Sequence, residues 1–241
     1  MIKSKMFQWI EVSSYEQMSE IAATIFSEQL QATPDSVLGL ATGGSPLGFY
    51  KEMVKRHQRD EFSFARAVTF NLDEYVGQGP GDPNSYHEFM HQNLFRHIDL
   101  PGTGRHLPNG LAPDLEQECG RYERLIAESG GIDLQLLGVG VNGHIGFNEP
   151  GSRFDSRTQV IELAEATRKS NARFFDNEKD IPDKAITMGI GTIMEAKKIV
   201  LLAFGDNKMD AVRRLENDAV TEEFPVSILR KHPHVTVIYG K

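Results

Sequence analysis

Only one cysteine, Cys119, occurs in the 241 residues, so the chain can build neither an intramolecular disulfide framework nor a cysteine-based zinc cluster. It lies in LEQECGRYERL, a helix-like stretch without an evident base beside it, and reads as a structural thiol. An excess of positive charge is also missing. The formal net charge of -8 argues against a general binder of phosphate backbones or anionic membranes, so any anion must be held by a local site. The opening MIKSKMFQWIEVSSYEQ lacks the continuous apolar stretch of a secretion signal, and no segment is apolar for long enough to span a bilayer. A cytoplasmic location is the expectation. No repeat, low-complexity tract or linker divides the chain, and a single domain over residues 1–241 is expected.

What is present is a soluble-enzyme composition, 39% hydrophobic and 25% charged, in which short apolar runs alternate with amphipathic stretches. SSYEQMSEIAATIFSEQL puts Met18, Ile21, Ala22 and Ile25 on one helical face behind Ser13 or Ser14 as a cap. SVLGLA then reads as a strand, and SPLGFYKEMVKRH as a helix capped by Ser45 with Pro46 in its first turn. The strand RAVTFNLDEY, the helix SYHEFMHQNLFRHI, the helix APDLEQECGRYERLIAES with Asp114 near its start, and the strand IDLQLLGVG follow. A helix near MGIGTIMEA, the strand KKIVLLAFG, a helix near NKMDAVRRLEN and the strand HVTVIYG complete the series. Strand and helix alternate without a run of hairpins, which predicts an α/β fold with a mainly parallel sheet covered by helices on both faces. In such a sheet ligands bind at the carboxyl edge of the strands, where the loops after Ala41, Phe70, Leu137 and Phe204 would meet.

Those loops carry unusual residues. LGLATGGSPLG passes from strand to helix through Gly43, Gly44 and Ser45, a stretch suited to cradle a phosphate on backbone N–H groups, or simply to make a tight turn. It has neither the Gly-Lys-Ser/Thr ending of a P-loop nor the glycine spacing of a dinucleotide site. TFNLDEYVG sets Asp73 and Glu74 side by side; in extended backbone they point oppositely, so only one is expected to face a ligand and serve as a base. GVNGHIGFNEPG supplies His144 for proton transfer, with Asn142 or Glu149 available to orient its ring. HEFMH, His87 to His91, fits the H-E-x-x-H zinc pattern but shows no third ligand, and its flanks read as an ordinary packing helix.

Taken together and in this order, LGLATGGSP, TFNLDEYVG, NSYHEFM, GVNGHIGFNEPG, SNARFFDN and TMGIGTIMEAKKIVLLAFGDNKMDAV resemble the glucosamine-6-phosphate deaminase family, from about Val37 onward. The resemblance implies a Rossmann-like three-layer fold and the conversion of glucosamine 6-phosphate and water to fructose 6-phosphate and ammonia. It assigns Asp73 as the base moving a proton between C2 and C1 through an enolamine, His144 as the residue that opens the sugar ring, and Glu149 as its charge-relay partner. Asn142 takes the second relay position, where some members carry Asp; an amide orients the imidazole but supplies no charge. The phosphate would rest on Gly43, Gly44 and Ser45, with Arg173 and Lys208 adding positive charge. No metal or organic cofactor is implied. Gln159 and Ile161 stand where allosteric members carry basic side chains, and the chain ends at Lys241, so a non-allosteric monomer is expected. A 6-phosphogluconolactonase and a non-catalytic sugar-phosphate sensor are the rival readings; no basic helix-turn-helix segment accompanies the latter.

Overall fold

The structure, a computed structural model, describes residues 6–163 and 181–241. Seven strands form one sheet: β1 (Met6–Glu11), β2 (Val37–Leu40), β3 (Val68–Asn71), β5 (Arg105–His106), β6 (Leu134–Gly138), β9 (Ile199–Phe204) and β10 (His234–Gly240). Their order is β1-β10-β9-β6-β2-β3-β5, and every adjacent pair is parallel. Alternation along each strand divides the core between the two faces. Leu137, Leu201 and Val237 stand in register on one face and pack with α4 (Leu115–Glu128), α5 (Ile190–Met194) and α6 (Met209–Asn217) through Tyr122, Ile193 and Leu215. Leu136, Leu202 and Ile238 point the other way, into α1 (Tyr15–Ala32), α2 (Leu47–His57) and α3 (Tyr86–Asn93). The predicted parallel sheet with helices on both faces is therefore present.

Local chemistry sets the helix ends. Ser14 accepts the Gln17 N–H at 3.1 Å, while the Gln17 side chain accepts the Ser13 N–H at 2.8 Å, a reciprocal cap that starts α1. Asp114 accepts the Gln117 N–H at 2.9 Å and starts α4. The expected Ser45 cap is not made: α2 begins after Pro46 with no side-chain cap, so the Ser45 hydroxyl is not consumed by the helix.

Two features depart from the sequence reading. The segment MFQWIE was not anticipated as a strand, yet it forms the parallel edge strand β1 beside β10. RAVTFNLDEY is not one strand. It breaks at Leu72, whose N–H donates to the Leu40 carbonyl in the main sheet and whose own carbonyl accepts from Met188. Beyond the break, β4 (Asp73–Tyr75) joins β8 (Lys184–Thr187) and β7 (Gln159–Glu162) in a small antiparallel sheet of order β4-β8-β7. That switch of sheets carries Asp73 over the carboxyl edge of the parallel sheet.

Candidate active site

A cavity of about 240 Å³ opens at this edge, lined by the loops after β2, β3, β6 and β9. Thr42, Gly44 and Ser45 form one wall. The turn requires φ +97° at Gly43, a conformation that side-chain-bearing residues rarely adopt. Gly43 itself is not part of the lining; it shapes the turn, while Gly44 and Ser45 face the space. Tyr15, at the start of α1, fixes this loop from behind. Its hydroxyl lies 2.9 Å from the Gly44 carbonyl and 3.0 Å from that of Ser45, and it accepts the Gly48 N–H at 2.8 Å. Lys208, between β9 and α6, lines the same cavity, and burial lowers the pKa of its ammonium. It forms no ion pair among the described residues, so its charge is directed to whatever occupies the space. Arg173 lies outside the described residues.

β4 points its two carboxylates to opposite sides, as the alternation required. Asp73 lines the cavity at 5% exposure and has no hydrogen-bond partner among the described residues. Burial first, and the neighbouring Glu74 charge second, push its pKa from 3.8 up to about 8. A carboxyl with that property is poised to exchange a proton near neutral pH. Glu74 is fully buried and turned away, against the N-terminus of α3.

The loop after β6 supplies the histidine. His144 stacks so close to Gly140 that a Cβ there would lie 2.2 Å from the ring, so only glycine fits. Its Nδ1 donates to Asn142 Oδ1 at 2.8 Å, the amide Nδ2 of Asn142 donates to Glu149 Oε2 at 2.7 Å, and Glu149 Oε1 stands 3.5 Å from Nδ1. An amide oxygen only accepts and a carboxylate only accepts, which fixes both the Asn142 orientation and the ring tautomer. Nε2 is left as the nitrogen able to take a proton from a ligand. Asn148 pins the far end of the loop, its amide donating at 2.9 Å to the carbonyls of both Ile145 and Met188. This brings Gly146 against Asp73, so the histidine loop and the carboxyl share one wall.

Of the residues expected from the sequence, Gly44, Ser45, Asp73, His144 and Lys208 line the cavity, and Asn142 and Glu149 stand behind His144. Tyr86 also lines it and was not anticipated. Its hydroxyl donates to Tyr75 at 3.1 Å, and burial pushes its pKa well up. The HEFMH segment belongs to α3, but His87 Nδ1 is engaged with Glu74, and among the described residues no group of three or more His, Cys, Asp or Glu is placed to hold a metal ion. Nor is any described helix long and apolar enough to cross a membrane.

Known proteins resemble this chain over nearly its whole length. A family model described as glucosamine-6-phosphate isomerases/6-phosphogluconolactonase matches residues 12–238. The glucosamine-6-phosphate deaminase of Lysinibacillus sphaericus is 58% identical over 233 residues, which covers 97% of this chain and 98% of that protein. A solved structure of a monomeric glucosamine-6-phosphate deaminase superposes with a TM-score of 0.94 at 49% identity, covering 97% of both chains. A 6-phosphogluconolactonase from Thermotoga maritima superposes at 0.78 with 20% identity, over 98% of this chain and 100% of its own, a likeness of fold alone. The fold, the cavity and a match running nearly end to end give one result: this chain belongs to the glucosamine-6-phosphate isomerase/6-phosphogluconolactonase family.

Proposed function

We propose that the chain, acting as one domain over residues 1–241, converts glucosamine 6-phosphate and water to fructose 6-phosphate and ammonia. The observation that carries this reading is Asp73: a buried carboxyl with a raised pKa and no hydrogen-bond partner among the described residues, in the cavity that also holds His144 and Lys208. The identity to named deaminases supports it.

The phosphate is placed on the Gly43–Gly44–Ser45 turn, with Lys208 as its counter-charge; Arg173 is a further proposed ligand. Backbone N–H groups at a strand-to-helix turn together with one lysine hold a dianion on an otherwise acidic protein. His144, oriented through Asn142 and Glu149, moves the proton that opens the pyranose ring. In the open chain Asp73 removes the C2 proton, and the C–H electron pair forms the C1–C2 double bond of an enolamine while the C1=O π pair moves onto O1, which takes up a proton. Return of the proton to C1 leaves an iminium at C2. Water adds there, the C–N bond breaks, and ammonia departs to leave the C2 ketone. Each step is a proton transfer or an addition beside a carbonyl or iminium, which side chains perform. The Glu149 carboxylate stabilises positive charge on His144 through the Asn142 amide and across the 3.5 Å gap.

Release of both products from glucosamine 6-phosphate in metal-free buffer, with Asp73→Asn run beside the wild type, tests the reading. Equal ammonia and fructose 6-phosphate, lost in the variant, is the expected result. A folded wild-type protein that binds the sugar phosphate and releases neither product would overturn it. The monomeric state of the similar solved structure supports a monomer here, which light scattering on the purified protein would check.

A further inference from the structure

His87 is outside the cavity yet is joined to it through one buried carboxylate. Glu74 Oε1 accepts the N–H groups of Tyr75 and Tyr86, each at 2.9 Å. Glu74 Oε2 accepts the His87 N–H at 2.9 Å and His87 Nδ1 at 3.0 Å. Four donors therefore converge on a side chain that is 0% exposed, the arrangement of a carboxylate anion. With Ser85 accepting the Glu88 N–H, the same carboxylate completes the capping of α3 and fixes Tyr86, whose ring enters the cavity. Three of these donors are amides of constant charge. The fourth is an imidazole, the one donor of the set that can carry a net positive charge. His87 reaches solvent at a groove it shares with Glu88, His91 and Arg105.

We infer that His87 is a positioning residue for the base: the imidazole bound to Glu74 sets how much of that carboxylate's charge bears on Asp73 and thereby the acid limb of catalysis. The inference rests on the reading of Asp73 as the base. With His87 neutral, the Glu74 charge lies next to Asp73 and opposes a second carboxylate there. With His87 protonated, the pair is neutral and Asp73 ionises more readily. The other titratable groups around Asp73 are the phenols of Tyr50, Tyr86 and Tyr122, which burial keeps neutral, and Lys208 and His144 along the cavity. None of their side chains bonds to Glu74, nor do those of Glu88, His91 or Arg105 among the described residues.

The test is His87→Asn, which keeps a side-chain N–H donor where Nδ1 stands but carries no charge. Two profiles are measured in wild type and variant: kcat/KM against pH, and the 13C titration of the Asp73 carboxyl, identified by its loss in Asp73→Asn. The inference expects both acid-side midpoints to move upward in the variant, by a few tenths to about one pH unit. His87→Phe, which also deletes the hydrogen bond, should move them at least as far if it folds. Profiles that coincide with wild type in folded His87→Asn, or that move downward, would overturn the inference and leave His87 as a cap alone. A shifted carboxyl titration in a protein that releases no ammonia would uphold the link between His87 and Asp73 while removing the deaminase reading.

Discussion

On one side of β4, Glu74 meets four hydrogen-bond donors; on the other, Asp73 meets none among the described residues. Both carboxylates are buried and adjacent in the chain, so burial by itself does not decide what a carboxylate does. The paired one spends its charge on closing a helix end. The unpaired one has its proton held up to about pH 8 and faces a cavity. The two cations Lys208 and Arg157 repeat the contrast. Arg157 is committed to Glu123 and Glu195, each at 2.6 Å, whereas Lys208 is left open to the cavity.

Breaking the comparison on its open side should have the largest effect. Asp73→Asn removes the proton acceptor without changing its shape, and kcat should fall by about 100- to 10,000-fold in a product-release assay. On the paired side, Glu74→Ala strands three amide donors and the His87 imidazole. Its cost should be at least about 3 kcal/mol, the upper value for a single hydrogen bond to a charged group, read from urea unfolding. Lys208→Ala should raise KM by tenfold or more, in line with about 1.5–3 kcal/mol for a charged hydrogen bond, and should leave unfolding nearly unchanged. Arg157→Ala is the converse and the smallest effect. Its side chain is half-exposed, so its pairs should contribute no more than about 1 kcal/mol to stability, and KM should stay at the wild-type value.

The parallel sheet was legible because its interior strands are unbroken apolar runs such as IVLLAF, separated by capped amphipathic helices. The edge strand β1 was not, since exposed residues such as Gln8 and Glu11 interrupt its apolar pattern. The small antiparallel sheet escaped for a related reason: β4 has three residues, and β7 is too exposed to show an apolar alternation. In the site, Asp73, His144 and the glycine turn announced themselves by chemistry placed at strand ends. Tyr86 and His87 did not, because their positions depend on α3 docking its N-terminus on Glu74, a contact between residues 12 and 13 positions apart. The Ser45 cap was misjudged because a serine before a helical proline has the same pattern whether it caps the helix or faces a ligand.

The fold raises the pKa of Asp73 into the range where it can exchange a proton, and unfolding stability against pH measures that directly. The native chain keeps the Asp73 proton up to about pH 8, whereas the unfolded chain releases it near the ordinary value of 3.8. Between these limits the native state binds more protons, so ionising conditions favour the unfolded chain and stability falls as pH rises. Asp73→Asn has no proton to lose. The stability of wild type minus that of Asp73→Asn should therefore decline steadily from about pH 4 to about pH 8 and level off above it. A difference that stays flat across that range would contradict the account.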